Sequence, residues 1–205
     1  TYQTILTRQL TAELPHDLTP QTIFSRLRRH HPAPFAAFLI RPGSTVISAS
    51  PERFIRVDGR HVSTSPIKGT RPRGSDPKQD AVLRSELLSS EKDLAENTMI
   101  VDLLRNDLGR VCEFGSVKVD KLCDIEEHPT FFHLVSTIEG QLRDNTSFSD
   151  ILRAVFPCGS ITGAPKISTM KIIDTIEPAA RGLSMGVIGY HVPSRWKSGL
   201  ATFDL

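Results

Sequence analysis

Residues 45–69, TVISASPERFIRVDGRHVSTSPIKG, constrain the fold more than any other stretch of the chain. They are rich in β-branched residues and nearly alternate between apolar and polar, with Asp58-Gly59 in the middle. A period of two marks strands that bury one face. An Asp-Gly pair supplies the positive φ that a tight hairpin turn requires. The pattern predicts an antiparallel meander over residues 34–68, entered through the mostly apolar strand in HPAPFAAFLI. Glu52 and Lys68 then fall on neighbouring strands, a carboxylate beside an amine.

Thr19-Pro20 is a helix start, with Thr as N-cap, Pro at the first helical position, and Ile23, Phe24 and Leu27 following at helical spacing. From Asp80 to Leu108 the apolar positions Leu83, Leu87, Leu94, Ile100, Val101, Leu104 and Leu108 carry one long, charged helical segment closed by Gly109. SVKVDKL and FFHLVSTIEGQL read as strands. SFSDILRAVF reads as a helix capped by Ser147 or Ser149. PCGSITGAPK is a glycine-bearing turn leading into the helix APKISTMKIIDTIE, and SMGVIGYHV with SGLATFDL forms a closing strand pair. Strands and helices mix without strict βαβ alternation, so the fold class is α+β, in a single domain over residues 1–205.

Bulk properties narrow the function classes. The 205 residues are 39% hydrophobic and 23% charged, an ordinary globular composition. A formal net charge of +2 gives no basis for a nucleic-acid partner. The runs Arg26-Leu27-Arg28-Arg29 and Arg71-Pro72-Arg73 read as solvated faces or small-anion contacts. No window approaches the ~18 apolar residues of a membrane span, and no signal-peptide pattern opens the chain, so no membrane role is expected. Cys112, Cys123 and Cys158 are odd in number and lack CxxC spacing, which predicts free thiols in a reducing cytoplasm. The chain opens on Thr1 and stops in ATFDL, in what reads as mid-strand, so a fragment of a longer chain is expected.

Four features can carry chemistry. Gly159 and Gly163 flank Ser160, Ile161 and Thr162 directly before a helix, where free N–H groups and the dipole suit an anion; a tight loop with hydroxyl caps fits the same residues. No Walker A loop is present. Asp93 and Glu96, three apart, share a helix face and suit Mg²⁺, or else form an exposed acidic face partnered by Lys92 and Arg105. His133 and Tyr190 lie in apolar strands, where core roles compete with catalysis. Lys68 is flanked by Gly69 and two arginines. It is either an exposed charge or an amine activated by its neighbours, with Glu52 as an acid or base.

Six ordered stretches together resemble one family. SPERF, PIKGTRPRG, ENTMIVDLLRNDLGRV, HLVSTIEGQL, CGSITGAPK and MGVIGY are similar to the chorismate-utilising enzymes, which include anthranilate, isochorismate, salicylate and aminodeoxychorismate synthases. The resemblance implies an α/β sandwich of antiparallel sheets with outer helices, here incomplete at both ends. An N-terminal part, an arginine-bearing strand and a second metal-binding glutamate of the family lie outside this sequence. At position 68 the anthranilate and isochorismate branches typically carry alanine, whereas PIKGT resembles the branch that aminates chorismate at C4, a transaminase-type step toward p-aminobenzoate and folate.

By that resemblance Lys68 is the nucleophile, Glu52 its acid/base partner, and His133 a contact near the leaving group. Glu96 would bind Mg²⁺ with Asp93 assisting. Gly69, Thr70, Ser160, Ile161, Thr162, Gly163 and Tyr190 would receive substrate. The implied partners are chorismate, ammonia and a glutamine amidotransferase, either a separate subunit or a fused domain. The competing readings are anthranilate synthase component I and a non-catalytic chorismate-binding or assembly domain.

Overall fold

The computed structural model describes residues 1–192 and 200–204. In chain order the elements are β1 (Gln3–Thr4), α1 (Pro20–His30), β2 (Phe35–Arg41), β3 (Ser44–Ser50), β4 (Arg53–Asp58), β5 (His61–Ser65), β6 (Ile67–Pro72), α2 (Pro77–Ser89) and α3 (Glu91–Gly109). They continue with β7 (Lys118–Glu127), β8 (Phe131–Gln141), α4 (Phe148–Val155), α5 (Gly159–Thr162), β9 (Gly163–Ala164), α6 (Lys166–Ile176), β10 (Ile188–Val192) and β11 (Leu200–Asp204).

The main sheet has seven strands in the order β10-β11-β4-β5-β8-β6, and β7 pairs with the opposite edge of β8. All of its pairings are antiparallel. β5 and β6 run end to end along one edge of β8: Thr64 pairs with Ile138, and Ile67 with Val135. The expected meander is therefore interrupted twice. β2 and β3 form a separate two-stranded sheet, and β6 leaves β5 to pair with β8. Pro66 stands at that hand-over, where it has no N–H to give a ladder, and its carbonyl accepts from the Ser136 N–H at 3.2 Å. The hairpin is present, with Asp58 opposite His61 and Gly59 at φ +63°.

The near-alternation of the strands breaks at two bulges. Between Arg53 and Arg56 three steps on β4 oppose two on β5, so Phe54 and Ile55 both enter the core with Val57 and Val62. Between Ile67 and Thr70 three steps on β6 oppose two on β8. An extra residue at such a point turns two neighbouring side chains to one face.

The core lies between this sheet and the helices. Ile100, Val101, Leu104 and Leu108 of α3 pack with Phe54, Ile55 and Ile138. Leu87 of α2 packs with Phe132 and Leu134. The long charged segment is two helices rather than one: Ser90 ends α2 and caps α3, its hydroxyl accepting from the Asp93 N–H at 3.3 Å. Ser147, not Ser149, caps α4, in a reciprocal box with Asp150. The glycine-bearing turn contains the short α5. The closing strands pair as expected and extend the sheet through β11 onto β4. Ser198, Gly199 and Leu205 of the second closing stretch lie outside the described residues. Among the described residues no helix is long and apolar enough to cross a membrane, and the three cysteines are free.

Candidate active site

The second bulge decides what stands beside Lys68. Ile67 and Thr70 sit opposite Val135 and His133, so these four side chains share one face. Lys68 and Gly69 both turn to the other face, toward α2 and α3. Gly69 has φ +96°, and a Cβ there would lie 3.0 Å from both Asp93 Cβ and Leu87 Cδ1. Glycine is required by the backbone angle and by the close approach of α3.

Lys68 is largely buried, its side chain 15% exposed. Its Nζ donates to the Ser160 carbonyl at 3.1 Å and stands 3.6 Å from Glu96 Oε1. Glu52 reaches the same place from the loop before β4, and its Oε2 accepts from the Ile67 N–H at 3.2 Å. Burial raises the Glu52 carboxyl above its ordinary value of 4.5, against the Ile67 N–H, the nearby Ser160 hydroxyl and the Lys68 charge, which favour ionisation. The Ser160 hydroxyl stands close enough to act on that carboxyl yet makes no hydrogen bond of normal geometry among the described residues. One amine, two carboxyls and a hydroxyl, drawn from four separate segments, thus converge.

The roll of α3 aims Glu96. Asn97, fully buried, donates from Nδ2 to the Leu134 carbonyl at 3.1 Å and accepts from the Ser136 hydroxyl. A buried amide satisfied at both ends fixes the helix against β8, because breaking either bond leaves an unpaired polar group costing about 1–3 kcal/mol. The loop facing Lys68 is fixed as firmly. Gly159 lies against Leu103, where a Cβ would come within 2.2 Å of Cδ2. Lys166 pairs with the buried Asp107 and donates to the Val155 carbonyl. Arg181 donates to the Ile161 carbonyl at 2.9 Å.

Other expected residues are placed differently. Asp93 is engaged by Arg71 at 3.1 Å, and Arg71 also holds Glu86. The acidic pair is therefore not partnered by Lys92 and Arg105; Arg105 bonds Asp102. Arg73 pairs with Asp80, which it holds down to about 2. Both arginines of the RPR run are thus spent on carboxylates of α2 and α3.

His133 lies across the sheet from Lys68, stacked on Phe131 at 4.3 Å between centroids. It lines a cavity of about 170 Å³ with Pro34, Phe35, Arg53 and Ile67. Burial, with the nearby His128, lowers it to about 4, so the ring is neutral at neutral pH. Tyr190 is exposed on the edge strand β10, with β11, β4, β5 and β8 between it and β6. Ile161 and Thr162 are buried in α5, where the Thr162 hydroxyl caps back to the Cys158 carbonyl at 2.9 Å.

The donor set can be tested against Mg²⁺, which takes one or two protein carboxylates with substrate oxygens and water. Glu96 supplies one carboxylate. Two buried oxygens, Gln3 Oε1 and Ser160 Oγ, have no hydrogen-bond partner among the described residues, and they belong to the residues bonded to Glu96 and Lys68. This oxygen-rich, under-satisfied corner fits a hard cation. Among the described residues no three His, Cys, Asp or Glu groups cluster as a self-sufficient metal site. Gln3 gave no signal in the sequence, since it stands 93 residues from Glu96 in a two-residue strand without periodicity.

Comparison with known proteins follows the same lines. The chorismate binding enzyme family matches residues 1–196. An aminodeoxychorismate synthase of Streptomyces pristinaespiralis is 50% identical over 192 residues, covering 93% of this chain and 26% of that protein. An anthranilate synthase component 1 of Haloarcula marismortui is 49% identical over 189 residues, covering 92% of this chain and 37% of that protein. This chain therefore spans about a quarter to two-fifths of the relatives it matches. The crystal structure of anthranilate synthase component I from Streptococcus pneumoniae superposes with a TM-score of 0.79 at 34% identity, over 91% of this chain and 40% of that one.

Proposed function

This chain belongs to the chorismate binding enzymes, and from that premise we propose that it serves the amination of chorismate at C4 to 4-amino-4-deoxychorismate. Overall identity does not choose the branch, because relatives named for amination and for anthranilate synthesis match almost equally. The observation that carries the reading is Lys68, a lysine held in a buried corner between Glu96 and the Ser160 carbonyl. A solvated surface lysine needs no such placement. The branch that makes anthranilate typically carries alanine there.

In this reading the Lys68 amine forms a bond to C2 of the ring and gives up a proton as the C4 hydroxyl departs as water. Ammonia then bonds to C4 and the C2–N bond to lysine breaks. The overall exchange is chorismate plus ammonia for aminodeoxychorismate plus water. Departure of a hydroxyl needs a proton, and Glu52, its proton affinity raised by burial, is suited to give one. Its hold on the Ile67 N–H keeps that carboxyl in register with the next residue, Lys68. Ser160 would receive a substrate carboxylate. Glu96 would hold Mg²⁺, which when bound neutralises substrate carboxylate charge and assists the leaving oxygen. Asp93, held by Arg71, would act through water or through Glu96.

Ammonia would come from a glutamine amidotransferase, as a subunit or a fused domain, and the product would feed p-aminobenzoate and folate synthesis. Buried free thiols at Cys112 and Cys158, pushed up to about 11 and about 12 by burial, suit a reducing cytoplasm.

The test is Lys68→Ala in the full-length enzyme, given chorismate, Mg²⁺ and ammonia, with products separated by chromatography. Aminodeoxychorismate formation should fall to background. Formation at the parent rate would remove Lys68 from the chemistry, and release of pyruvate with an aromatic amine from the parent enzyme would assign it to the anthranilate branch.

A further inference from the structure

We infer that Gln3 is a positioning residue for Glu96, delivered by the seating of β1 on Gly163. The inference rests on the reading of Glu96 as the carboxylate that would hold Mg²⁺. The seat is made of main chain. Gln3 pairs with Ala164 and Thr4 with Gly163, the Tyr2 N–H donates to the Ala164 carbonyl at 2.9 Å, and the Ile5 N–H donates to the Thr162 carbonyl at 3.0 Å. A Cβ on Gly163 would lie 2.1 Å from the Gln3 carbonyl oxygen, and the residue has φ +111°. Gly163 is therefore glycine because another strand crosses it, a role distinct from opening a substrate loop. Past the seat the segment is clamped again: Arg181 donates to the Ile5 carbonyl at 2.8 Å and Glu177 accepts from the Thr7 N–H at 2.9 Å.

From this seat the Gln3 side chain crosses to α3 and donates from Nε2 to Glu96 Oε1 at 2.8 Å. An ionised carboxylate only accepts, so the amide end facing it is fixed as the N–H end. That leaves Gln3 Oε1, buried and without a partner among the described residues. The competitor for Glu96 is Lys68 Nζ, 3.6 Å from the same oxygen. A neutral donor at Oε1 holds Glu96 without adding charge. Without it the carboxylate is free to close on Lys68 as a full ion pair, which draws it from a cation and occupies the amine. Partners that hold a ligating carboxylate typically contribute about 10–100-fold to metal affinity.

The experiment uses the full-length enzyme and Mg²⁺ itself, titrated by calorimetry, with turnover measured across Mg²⁺ concentration. Gln3→Leu removes the amide while keeping the main-chain seat, and Gln3→Asn keeps an amide one methylene short. Both should weaken Mg²⁺ binding about 10–100-fold, with kcat returning toward the parent value at saturating Mg²⁺. Parent-like Mg²⁺ affinity in both variants, with affinity lost in Glu96→Gln, overturns the role of Gln3 and leaves that of Glu96 standing. Parent-like affinity in Glu96→Gln as well overturns the metal reading, and this inference with it. Activity that excess Mg²⁺ does not restore assigns Gln3 a merely structural part and also overturns it.

Discussion

The two faces of the β6–β8 pair differ more than their shared strands suggest. Toward the helices, Lys68, Gly69 and Arg71 meet carboxylates: Glu96, Asp93 and Glu86. On the other side, which Thr70 shares, Ile67, His133 and Val135 face a small cavity lined also by rings, prolines, Arg53 and Glu126. One face concentrates charge that is paired and held. The other keeps a neutral imidazole whose buried Nδ1 has no partner among the described residues. Regular pleating from Ile67 already turns Lys68 toward the acidic corner, and it would have sent Gly69 back to the face of Ile67. The extra residue at the bulge instead keeps Gly69 beside Lys68, under α3, and returns Thr70 to the face of Ile67 and His133.

The comparison is broken most severely through Glu52 on the charged side. Glu52→Gln retains an acceptor for the Ile67 N–H but removes the proposed proton donor, and aminodeoxychorismate formation should fall by about 10²–10⁴-fold. The same variant should gain stability relative to the parent as pH rises. Because burial raises this carboxyl in the folded state, the folded protein holds its proton longer than the unfolded chain, and stability falls as pH climbs from about 4.5 toward the folded value. The advantage of Glu52→Gln in thermal midpoint should therefore widen across that window and then level off. A constant offset at all pH would show that burial of the charge is not the cause.

Gly69→Ala tests the bulge itself. The strained φ and the 3.0 Å approaches to Asp93 and Leu87 should together cost about 1–3 kcal/mol, read by denaturant unfolding. A variant as stable as the parent would mean that α3 does not constrain this backbone.

The smallest effect belongs to the His133 face. His133 is lowered from 6.5 to about 4, so the unfolded chain binds the extra proton first and stability drops as pH falls through that interval. His133→Gln should flatten this acid limb, by on the order of 1 kcal/mol at pH 6, with the midpoint near pH 7.5 little changed. An unchanged acid limb would place the titrating group elsewhere.

Much of the secondary structure was legible. The β-branched alternation, the Asp58-Gly59 turn, the Thr19-Pro20 start and the Ser147 cap are local signals that the folded chain keeps. What misled was also local: Leu87 and Leu94 look continuous on a helical period, yet Ser90 ends one helix and caps the next. Of the candidate site, Glu52, Lys68, Glu96 and Ser160 come together, and Asp93 stands beside Gly69 in the grip of Arg71. His133 and Tyr190 do not join them, because a strand motif names a residue without naming the face or edge it will occupy.

The sequence by itself determined the family, through ordered motifs, and supplied in Lys68 the residue on which the proposed branch rests, because these depend on residue identity along the chain. Tertiary structure alone decided which side of the sheet that lysine serves and what holds its neighbour. The bulge is a mismatch between two strands, and Gln3 reaches Glu96 across 93 residues. Neither can be written in a local pattern, since each is a relation between segments that meet only when the core forms.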